Sequence, residues 1–572
     1  MKRRTLSIVL FAIVILTLAL MSFFMDSSMG KENVEFGILS LLPPLIAILL
    51  AFLTKQVLLS LFIGILVGTT MLHGNIFFGF LRTIDEIIVG SLADTWNAAI
   101  IIFTLSIGGM VGVVGKMGGT KAIADKLSKL AKTARSAQVV TAIMGILVFF
   151  DDYANTLIVG PTMRPLSDRL RVSREKLAYI VDSTAAPVVG MAAISTWVGT
   201  ELGFIKKTFD TLSIDANVFS VFIKSIPYAF YNIFALVLVF TIALTLRDFG
   251  PMYKAEKRAR KYGKLLDDNA KPMASDEVTK MELKEGTKLR ARNAIVPILT
   301  LIIVAFFGLW YNGYTALSST GIDPFTLKGM RECFGSADSS IVLIWGAIVS
   351  SIVAIVMGLW QKILTLDEAF DSWVSGAKSL VITCMILVLA WSLGGVTGSV
   401  GTADYLVQVV RDTIPGGFIP VIVFLLSCLM AFATGTSWGT MGIVIPLALP
   451  LANSYITGDP TQSTIMLATI SAVLSGSIFG DHCSPISDTT IMSSMASASD
   501  HLDHVKTQIP YAITGGALAI VAYLIVGFLD AGMIVTPLIS LIIGIAVIIS
   551  LVFILGKKTD KNTLGVQKKE TI

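Results

Sequence analysis

Four short polar stretches interrupt the apolar runs of this 572-residue chain and could bind a cation. They read DDYANT from Asp151, DSTAAP from Asp182, TGTSWGT from Thr434 and GDHCSPISDTT from Gly480. Their carboxylate and hydroxyl oxygens are hard ligands, which suit alkali or alkaline-earth cations better than thiophilic metals. A charge at the centre of a bilayer costs about 2.5–3.5 kcal/mol on insertion scales, so aspartates at that depth would need a functional reason.

The second and fourth stretches each place an aspartate four or five residues before a proline. Proline interrupts a helix, which leaves carbonyl groups and a helix N-terminus free to bind ions. We expect Asp152 and Asp481 to be sodium ligands or proton exchangers, because a buried carboxyl group can exchange a proton for a cation. Asp182 and Asp488 are expected to support them. The remaining candidate ligands are Asn155, Thr156, Ser183, Thr184, Thr436, Ser437, Thr440, His482, Ser484 and Thr489.

Several of these residues have plainer explanations. The neutral candidates could cap short helices, and His482 could be a hydrogen-bonded structural histidine. Asp151 could lie one residue outside the site and face water. The histidines of DHLDH at 500–504 have a metal-like spacing, but they follow a membrane segment and we do not expect a metal there. The segment TWVGTE at 196–201 could line the path or lie at the membrane interface, where tryptophan is common.

The composition places these stretches in a membrane protein. Hydrophobic residues make up 54% of the chain, charged residues only 15%, and the mean hydropathy is +0.79. Soluble domains carry about 25% charged residues. The four cysteines show no CxxC spacing, which argues against a disulfide framework or a zinc site. The pI of about 8.8 is explained by basic residues in cytoplasmic loops, so no nucleic-acid partner is expected.

Short patterns recur in the same order in the two halves of the chain. TIDE at 83–86 recurs as TLDE at 365–368, SIGG at 106–109 as SLGG at 392–395, and a Pro-x-x-x-Pro spacing at 161–165 recurs at 446–450. Each match is weak alone, but all three have nearly the same separation. The sequence therefore predicts a tandem repeat.

Basic residues predict how each half faces the membrane, because short cytoplasmic loops are rich in lysine and arginine. Residues 116–135 contain six Lys/Arg and residues 161–176 contain five, so both flanks of DDYANT should be cytoplasmic. The intervening apolar residues are too few for two crossings, each of which needs about 20. We expect a re-entrant hairpin that turns at residues 152–156.

The corresponding flanks in the second half, 399–416 and 454–463, contain the single basic residue Arg411. The second hairpin, turning at 434–440, should therefore enter from outside, which makes the two repeats inverted. Inverted repeats with broken helices are typical of secondary transporters. We predict an all-α polytopic membrane protein with about twelve transmembrane helices, two re-entrant hairpins, and both termini in the cytoplasm.

The predicted domain order starts with an N-terminal anchor helix and loop, and the segment between the repeats holds 13 Lys/Arg and 8 Asp/Glu. The segments are the anchor at 1–37; repeat 1 at 38–246, with a hairpin near 137–166 and a broken helix near 177–205; a basic cytoplasmic linker at 247–293; repeat 2 at 294–529, with a hairpin near 418–453 and a broken helix near 464–495; and a final helix and cytoplasmic tail at 530–572.

The strings FFDDYANTLIVGPTMRPLSD, DSTAAPV, ATGTSWGTMG and SIFGDHCSPISDTTIMSS resemble the signatures of NhaC-type transporters in the ion transporter superfamily. The resemblance runs from about residue 40 to 530. It implies an elevator-type carrier with inverted repeats, usually a sodium/proton antiporter. Relatives of similar pattern exchange organic acids with sodium and protons, or take up amino acids. The linker and the added N-terminal helix depart from the group and weaken any transfer of substrate.

We therefore expect sodium/proton antiport, with sodium-coupled transport of an amino acid or carboxylate as the alternative. The four stretches contain no arginine, which argues against a multiply charged anion. Asymmetric hairpin tips do not favour a channel, and no complete catalytic triad favours an enzyme. We expect no cofactor besides the coupling ions Na+ and H+, the inner (plasma) membrane as the location, and the lipid bilayer as the partner. Elevator carriers are often homodimers, although no interface signature stands out here.

Overall fold

The computed structural model describes residues 36–54, 56–129, 131–272, 289–317, 323–410, 413–485, 487–529 and 531–559. The predicted N-terminal anchor helix and the last residues of the C-terminal tail lie outside these ranges. Almost all of the described chain is helical.

The helices of the first half are α1 (Leu42–Thr54), α2 (Val57–His73), α3 (Ile76–Arg82), a π-helix (Thr83–Ile88), α4 (Val89–Ala93), α5 (Thr95–Lys116), α6 (Gly119–Ser128), α7 (Ala134–Leu147), α8 (Asp152–Arg169), α9 (Arg174–Ser183), α10 (Ala186–Val189), α11 (Val198–Thr211), α12 (Val218–Ser225) and α13 (Phe230–Thr245). Strand β1 (Arg247–Asp248) and helix α14 (Gly250–Tyr262) follow.

The helices of the second half are α15 (Arg292–Ala316), α16 (Leu327–Ser336), α17 (Ser339–Trp360), α18 (Leu366–Ser379), α19 (Val381–Ser399), α20 (Thr402–Val410), α21 (Ile419–Thr434), α22 (Ser437–Asn453), α23 (Thr464–Cys483), α24 (Asp488–Ala496), α25 (His501–Phe528) and α26 (Val535–Leu555), followed by strand β2 (Lys557–Lys558). Short 3-10 segments lie at Gly37–Leu41, Ile226–Tyr228, Gly416–Phe418 and Pro460–Gln462.

Within the described ranges, seven helical segments are long and apolar enough to cross a membrane. They are α5, α15, α17, α18 together with α19, α23, α25 and α26. Two bent pairs raise the number to nine: α2 with Ile76–Ala93, at 119°, and Val218–Tyr228 with α13, at 47°. These helices confirm a helical, multi-pass membrane protein, while the total of about twelve crossings stays a prediction.

Small residues bring several of these helices into close contact. A Cβ atom added to Gly376 on α18 would lie 2.2 Å from the carbonyl oxygen of Gly108 on α5. A Cβ atom on Gly480 of α23 would lie 2.3 Å from the carbonyl oxygen of Cys428 on α21. Such close approach stabilises helix pairs in lipid, where apolar side chains gain little by leaving the acyl chains. The first helix of the second predicted hairpin is therefore packed tightly on the second broken helix.

The chain folds back at both predicted hairpins, but the first turn lies earlier than expected. Helix α7 ends at Leu147, residues 148–151 form the turn, and Asp152 already begins α8. The prediction that the chain turns at 152–156 is therefore wrong by about four residues. In the second pair, α21 ends at Thr434, the next residue is Gly435, whose φ of +70° favours glycine, and α22 begins after Thr436. This break lies inside the predicted turn.

Both predicted broken helices are interrupted beside their aspartates. Helix α9 ends at Ser183, the short helix α10 contains Pro187, and residues 190–197 are not helical. Helix α23 ends at Cys483, and α24 begins at Asp488. The breaks leave polar backbone and side chains inside the helical body, which is tolerated in a membrane only where they are enclosed by protein or line a wet cavity.

Helix α14 belongs to the segment predicted as a linker, yet it docks on the body of the protein. The Glu256 carboxylate accepts a hydrogen bond of 2.7 Å from the Ser173 N–H. Arg260 donates to the carbonyl oxygens of Leu170 and Thr559, at 3.2 and 3.1 Å. Strands β1 and β2 pair antiparallel beside it. The linker interpretation is therefore incomplete for residues 250–262, while residues 273–288 lie outside the described part of the chain.

Burial and the nearby Asp248 carboxylate raise the pKa of Glu256 on α14 from 4.5 to about 7. The folded protein then holds a proton that the unfolded chain releases between these two values, so stability falls as pH rises through this window. We predict that Glu256→Gln flattens the fall in Tm between about pH 5 and 8, by a few degrees. Thermal unfolding in detergent at a series of pH values measures this change. Glu86→Gln, at a side chain that is 57% exposed, is the control, and parallel curves for wild type and Glu256→Gln would contradict the assignment.

Candidate ion-binding site

Asp152 lies at the tip of the first hairpin, where Trp197 joins it to the second hairpin. The Asp152 residue is 2% exposed, and its Oδ1 accepts a hydrogen bond of 3.1 Å from the Trp197 indole N–H. The Trp197 ring packs on Trp438 in the first turn of α22, with ring centroids 4.7 Å apart. The N–H of Thr196 donates to the carbonyl oxygen of Phe150 in the first turn, at 2.9 Å. The segment after the first broken helix therefore connects both hairpin tips.

Asn155 hydrogen-bonds the first hairpin tip to the first broken helix. Its Nδ2 donates to the carbonyl oxygens of Gly145 on α7 and Thr184 after α9, at 2.6 and 3.0 Å. Its Oδ1 is buried and has no partner among the described residues. The side chain is therefore more than a helix cap: it fixes the geometry of the tip and keeps one oxygen available for a ligand.

Four of the threonines among the neutral candidates bond to nearby backbone groups, and of these Thr436 does so as the N-cap of α22. The hydroxyls of Thr156, Thr184 and Thr440 donate to the carbonyl oxygens of Asp152, Ile180 and Thr436, at 3.0, 2.7 and 2.9 Å, and the Thr436 hydroxyl accepts from the Gly439 N–H at 3.4 Å. A hydroxyl that donates in this way keeps its lone pairs for a cation. The Ser437 hydroxyl is buried and lacks a partner within the described part of the chain.

Asp182, at the end of α9, is the centre of a second buried network. The Gln508 amide of α25 donates to its Oδ2 at 2.6 Å, and the Ser493 hydroxyl of α24 donates to its Oδ1 at 3.2 Å. The Nε2 atoms of His482 and His504 each lie 3.8 Å from Oδ2. Asp182, on α9, therefore contacts side chains of α24, α25 and the end of α23, and its predicted supporting role in the ion site stays a prediction.

His482 links the two broken helices. Its Nε2 hydrogen-bonds to the Ser183 hydroxyl at 3.1 Å, and its Nδ1 to the Tyr231 hydroxyl at 2.6 Å. The Gln508 amide also donates to its carbonyl oxygen, at 2.5 Å. The histidine is thus hydrogen-bonded on both ring nitrogens, as the structural alternative expected, and it also contacts the candidate carboxylate Asp182.

Asp481 spans the break in the second broken helix. The Thr489 hydroxyl of α24 donates to its Oδ2 at 2.8 Å, and the Ser484 hydroxyl donates to the carbonyl oxygen of Phe432 on α21, at 2.8 Å. The first bond joins the two sides of the break, and the second bond fixes the break to the second hairpin. The side chain of Asp488 lies outside the described part of the structure, so its predicted role stays a prediction.

Sequence reasoning missed His504, Gln508 and Tyr231 as members of this site. His504 and Gln508 lie four residues apart on α25, so they share one face of that helix. Their polar side chains at helical spacing, in the first turns of a long apolar helix, could have indicated that they belong to a buried site. The sequence suggested DHLDH only as a metal-like spacing, and no cluster of three or more His, Cys, Asp or Glu side chains that could hold a metal ion is found among the described residues.

Broken helices that place buried carboxylates between two helix pairs, in a multi-pass membrane protein, are typical of secondary transporters. The chain belongs to the Na+/H+ antiporter family, whose model matches residues 35–191 and 188–528. This match confirms the family that the sequence motifs indicated.

Two relatives and one solved structure resemble this chain. An uncharacterized protein of Haemophilus influenzae is 34% identical over 509 residues, which cover 88% of this chain and 93% of that protein. The arginine/ornithine antiporter ArcD of Halobacterium salinarum is 31% identical over 34% of this chain and 37% of its own. The crystal structure of the Alcanivorax borkumensis YdaH transporter, 13% identical, matches 78% of this chain and 88% of its own with a TM-score of 0.51, which shows a similar fold.

The bond from Trp197 to Asp152 can be tested with a matched pair of variants. We predict that Trp197→Phe lowers the free energy of unfolding by about 1.5–3 kcal/mol, because it removes the hydrogen bond to the carboxylate while keeping an aromatic ring on Trp438. Trp391→Phe is the control, since that indole is equally buried and its N–H has no partner among the described residues. Denaturation in detergent measures both, and equal losses would show that ring size, not the hydrogen bond, determines the effect.

Proposed function

We propose that the protein exchanges sodium ions for protons across the membrane, with Asp152 and Asp481 as the exchanging carboxylates. The observation that carries this proposal is that a buried aspartate from each half lies beside a helix break. The partners seen at these carboxylates include neutral donors, the Trp197 indole and the Thr489 hydroxyl. Neutral donors orient a carboxylate without cancelling its charge, so that sodium or a proton can compensate it in turn.

Competition between the two ions for the same carboxylate would produce antiport. When sodium binds, the proton leaves, and when the proton returns, sodium leaves. Asp182 supports the exchange by holding both broken helices in register through Gln508, Ser493 and the two histidines. Asn155, Ser437 and Thr436 are the neutral ligands that we propose near the first and second tips.

We also propose that the two halves are inverted repeats that work as an elevator. The order of elements supports this: each half has a helix pair with a tip, α7–α8 or α21–α22, followed by a broken helix, α9–α10 or α23–α24. A long helix, α13 or α25, then packs beside each break. This is the arrangement expected where one body carries the site past a fixed scaffold.

We propose that the protein lies in the inner membrane of the cell, with both termini in the cytoplasm. Three basic segments that should all face the cytoplasm lie together, which supports this orientation: α14, the loop before α9, and the C-terminal segment. Helix α14 contacts the loop before α9 at Ser173 and Leu170. Arg260 of α14 also contacts the C-terminal segment at Thr559. Short loops with many basic residues face the cytoplasm. The loops at Ile414 and Tyr455, which are poor in basic residues, contact each other through the Tyr455 hydroxyl at 2.7 Å.

Purified protein in vesicles with a trapped pH dye tests this proposal. We predict that a sodium pulse outside acid-loaded vesicles drives protons out, and that Asp152→Asn and Asp481→Asn each slow this efflux about tenfold or more. Asp210→Asn, at an exposed carboxylate paired with Lys206, is the control and keeps the wild-type rate. If sodium moves no protons in the wild type, simple antiport is wrong. The same vesicles then test labelled amino acids and carboxylates under an inward sodium gradient.

A further inference from the structure

Glu201 is a buried carboxyl group that the proposed exchange does not use. It lies in the first turn of α11 with an exposed fraction of 0%. Neither of its carboxyl oxygens has a hydrogen-bond partner among the described residues. An ionised carboxylate without compensation in such a place costs several kcal/mol, so Glu201 must hold a proton or a cation whenever it is enclosed in this way.

The surroundings of Glu201 include further oxygens without partners. The hydroxyls of Thr196 and Thr200, in the same segment, are buried and make no hydrogen bond within the described structure. By contrast, Thr208 on the same helix donates to the carbonyl oxygen of Phe204 at 2.9 Å. Glu201 Oε1 would lie 3.6 Å from a Cβ atom on Gly190, the residue that follows α10. The carboxyl group thus lies against the first broken helix.

The helices packed on α11 offer no fixed counter-charge to Glu201. Helices α19 and α22 contain no charged residue at all. Helix α5 has only Lys116, its last residue, and α12 has only Lys224, whose ammonium group donates to the carbonyl oxygen of Thr461 at 3.5 Å.

The remaining charged or titratable neighbours are engaged elsewhere. On α23, Asp481 accepts from Thr489 and His482 bonds to Ser183, both at the end of the helix. On α11 itself, Lys206 pairs with Asp210. Lys207 lies six residues after Glu201, nearly two helical turns away, with its Cε atom beside Gly395 of α19.

Glu201 is connected to the proposed exchange site through one helical turn. Its N–H donates to the carbonyl oxygen of Trp197 at 3.1 Å, and the Trp197 indole donates to Asp152. A proton needs no coordination shell, whereas sodium needs several oxygen ligands around it. Since the groups near Glu201 are a carboxyl and a few hydroxyls among apolar side chains, a proton is the fitting occupant.

We propose that Glu201 is a second proton site, which carries one proton in each transport cycle in addition to those exchanged at Asp152 and Asp481. This inference rests on the proposed antiport. Each cycle would then move one proton more than the aspartates move alone. Glu201 carries this proton as the neutral acid and releases it when the site opens to water. On the sodium-loaded return, the sodium ion at Asp152, which Trp197 connects to Glu201, compensates the ionised carboxylate, so the extra proton moves in one direction only.

The ratio of protons to sodium ions exchanged tests this inference. In vesicles with fixed sodium and proton gradients, the membrane potential at which exchange reverses gives the ratio. We predict that Glu201→Gln lowers the ratio, by one proton per transport cycle, while exchange continues. Glu256→Gln, the same change at an equally buried site on α14, is the matched control and keeps the wild-type ratio.

The outcomes separate the two proposals. An unchanged ratio in Glu201→Gln would overturn the role of Glu201 and leave antiport standing, whereas no sodium-driven proton movement in the wild type would overturn both. If Glu201→Gln does not fold, Glu201→Asp keeps a carboxyl group and is expected to keep the ratio.

Infrared difference spectra of the wild type give a second readout. We expect the carbonyl stretch of a carboxylic acid without hydrogen bonds, and its absence in the wild type would contradict the inference.

Discussion

The need to compensate buried carboxylates is the constraint on which the rest of this structure depends. A charge enclosed among apolar helices is costly, and each helix break removes further backbone groups from their own hydrogen bonds. The buried carboxylates and the helix breaks lie at the same positions in this protein. Asp182, Asp152 and Asp481 each accept hydrogen bonds from elements other than their own helix, so the carboxylates that need donors also tie the broken helices together.

This arrangement makes the two halves interdependent. Asp182 belongs to the first half, but its donors Gln508 and Ser493 belong to the second. Asp152 is held by Trp197, whose ring packs on Trp438 of the second hairpin. Neither broken helix is therefore complete without the other half. Separating the two halves would leave these carboxylates without their donors.

The sequence predicted where polar chemistry interrupts the membrane helices, since proline, glycine and aspartate mark such breaks directly. It placed the first turn too late because Asp152 suits the first turn of a helix as well as a loop. It missed Gln508 and His504, which meet Asp182 only through folding over more than half of the chain. The docking of residues 250–262 was also missed, because a charged composition does not show that Glu256 and Arg260 are buried.

The buried charged residues of this structure are of two kinds, which differ in their partners. At the proposed cytoplasmic face, charges have fixed opposite partners: Lys176 pairs with Asp248, and Arg258 pairs with Glu175 at 2.6 Å. In such a pair each charge compensates the other, and removing one partner would leave the other buried without compensation. Deeper in the protein, Asp182 lies among an amide, a hydroxyl and two histidines. Since Glu175, Lys176 and Asp182 share α9, one short helix joins the fixed pairs to this network, so a displacement of α9 must shift α14 and the network together.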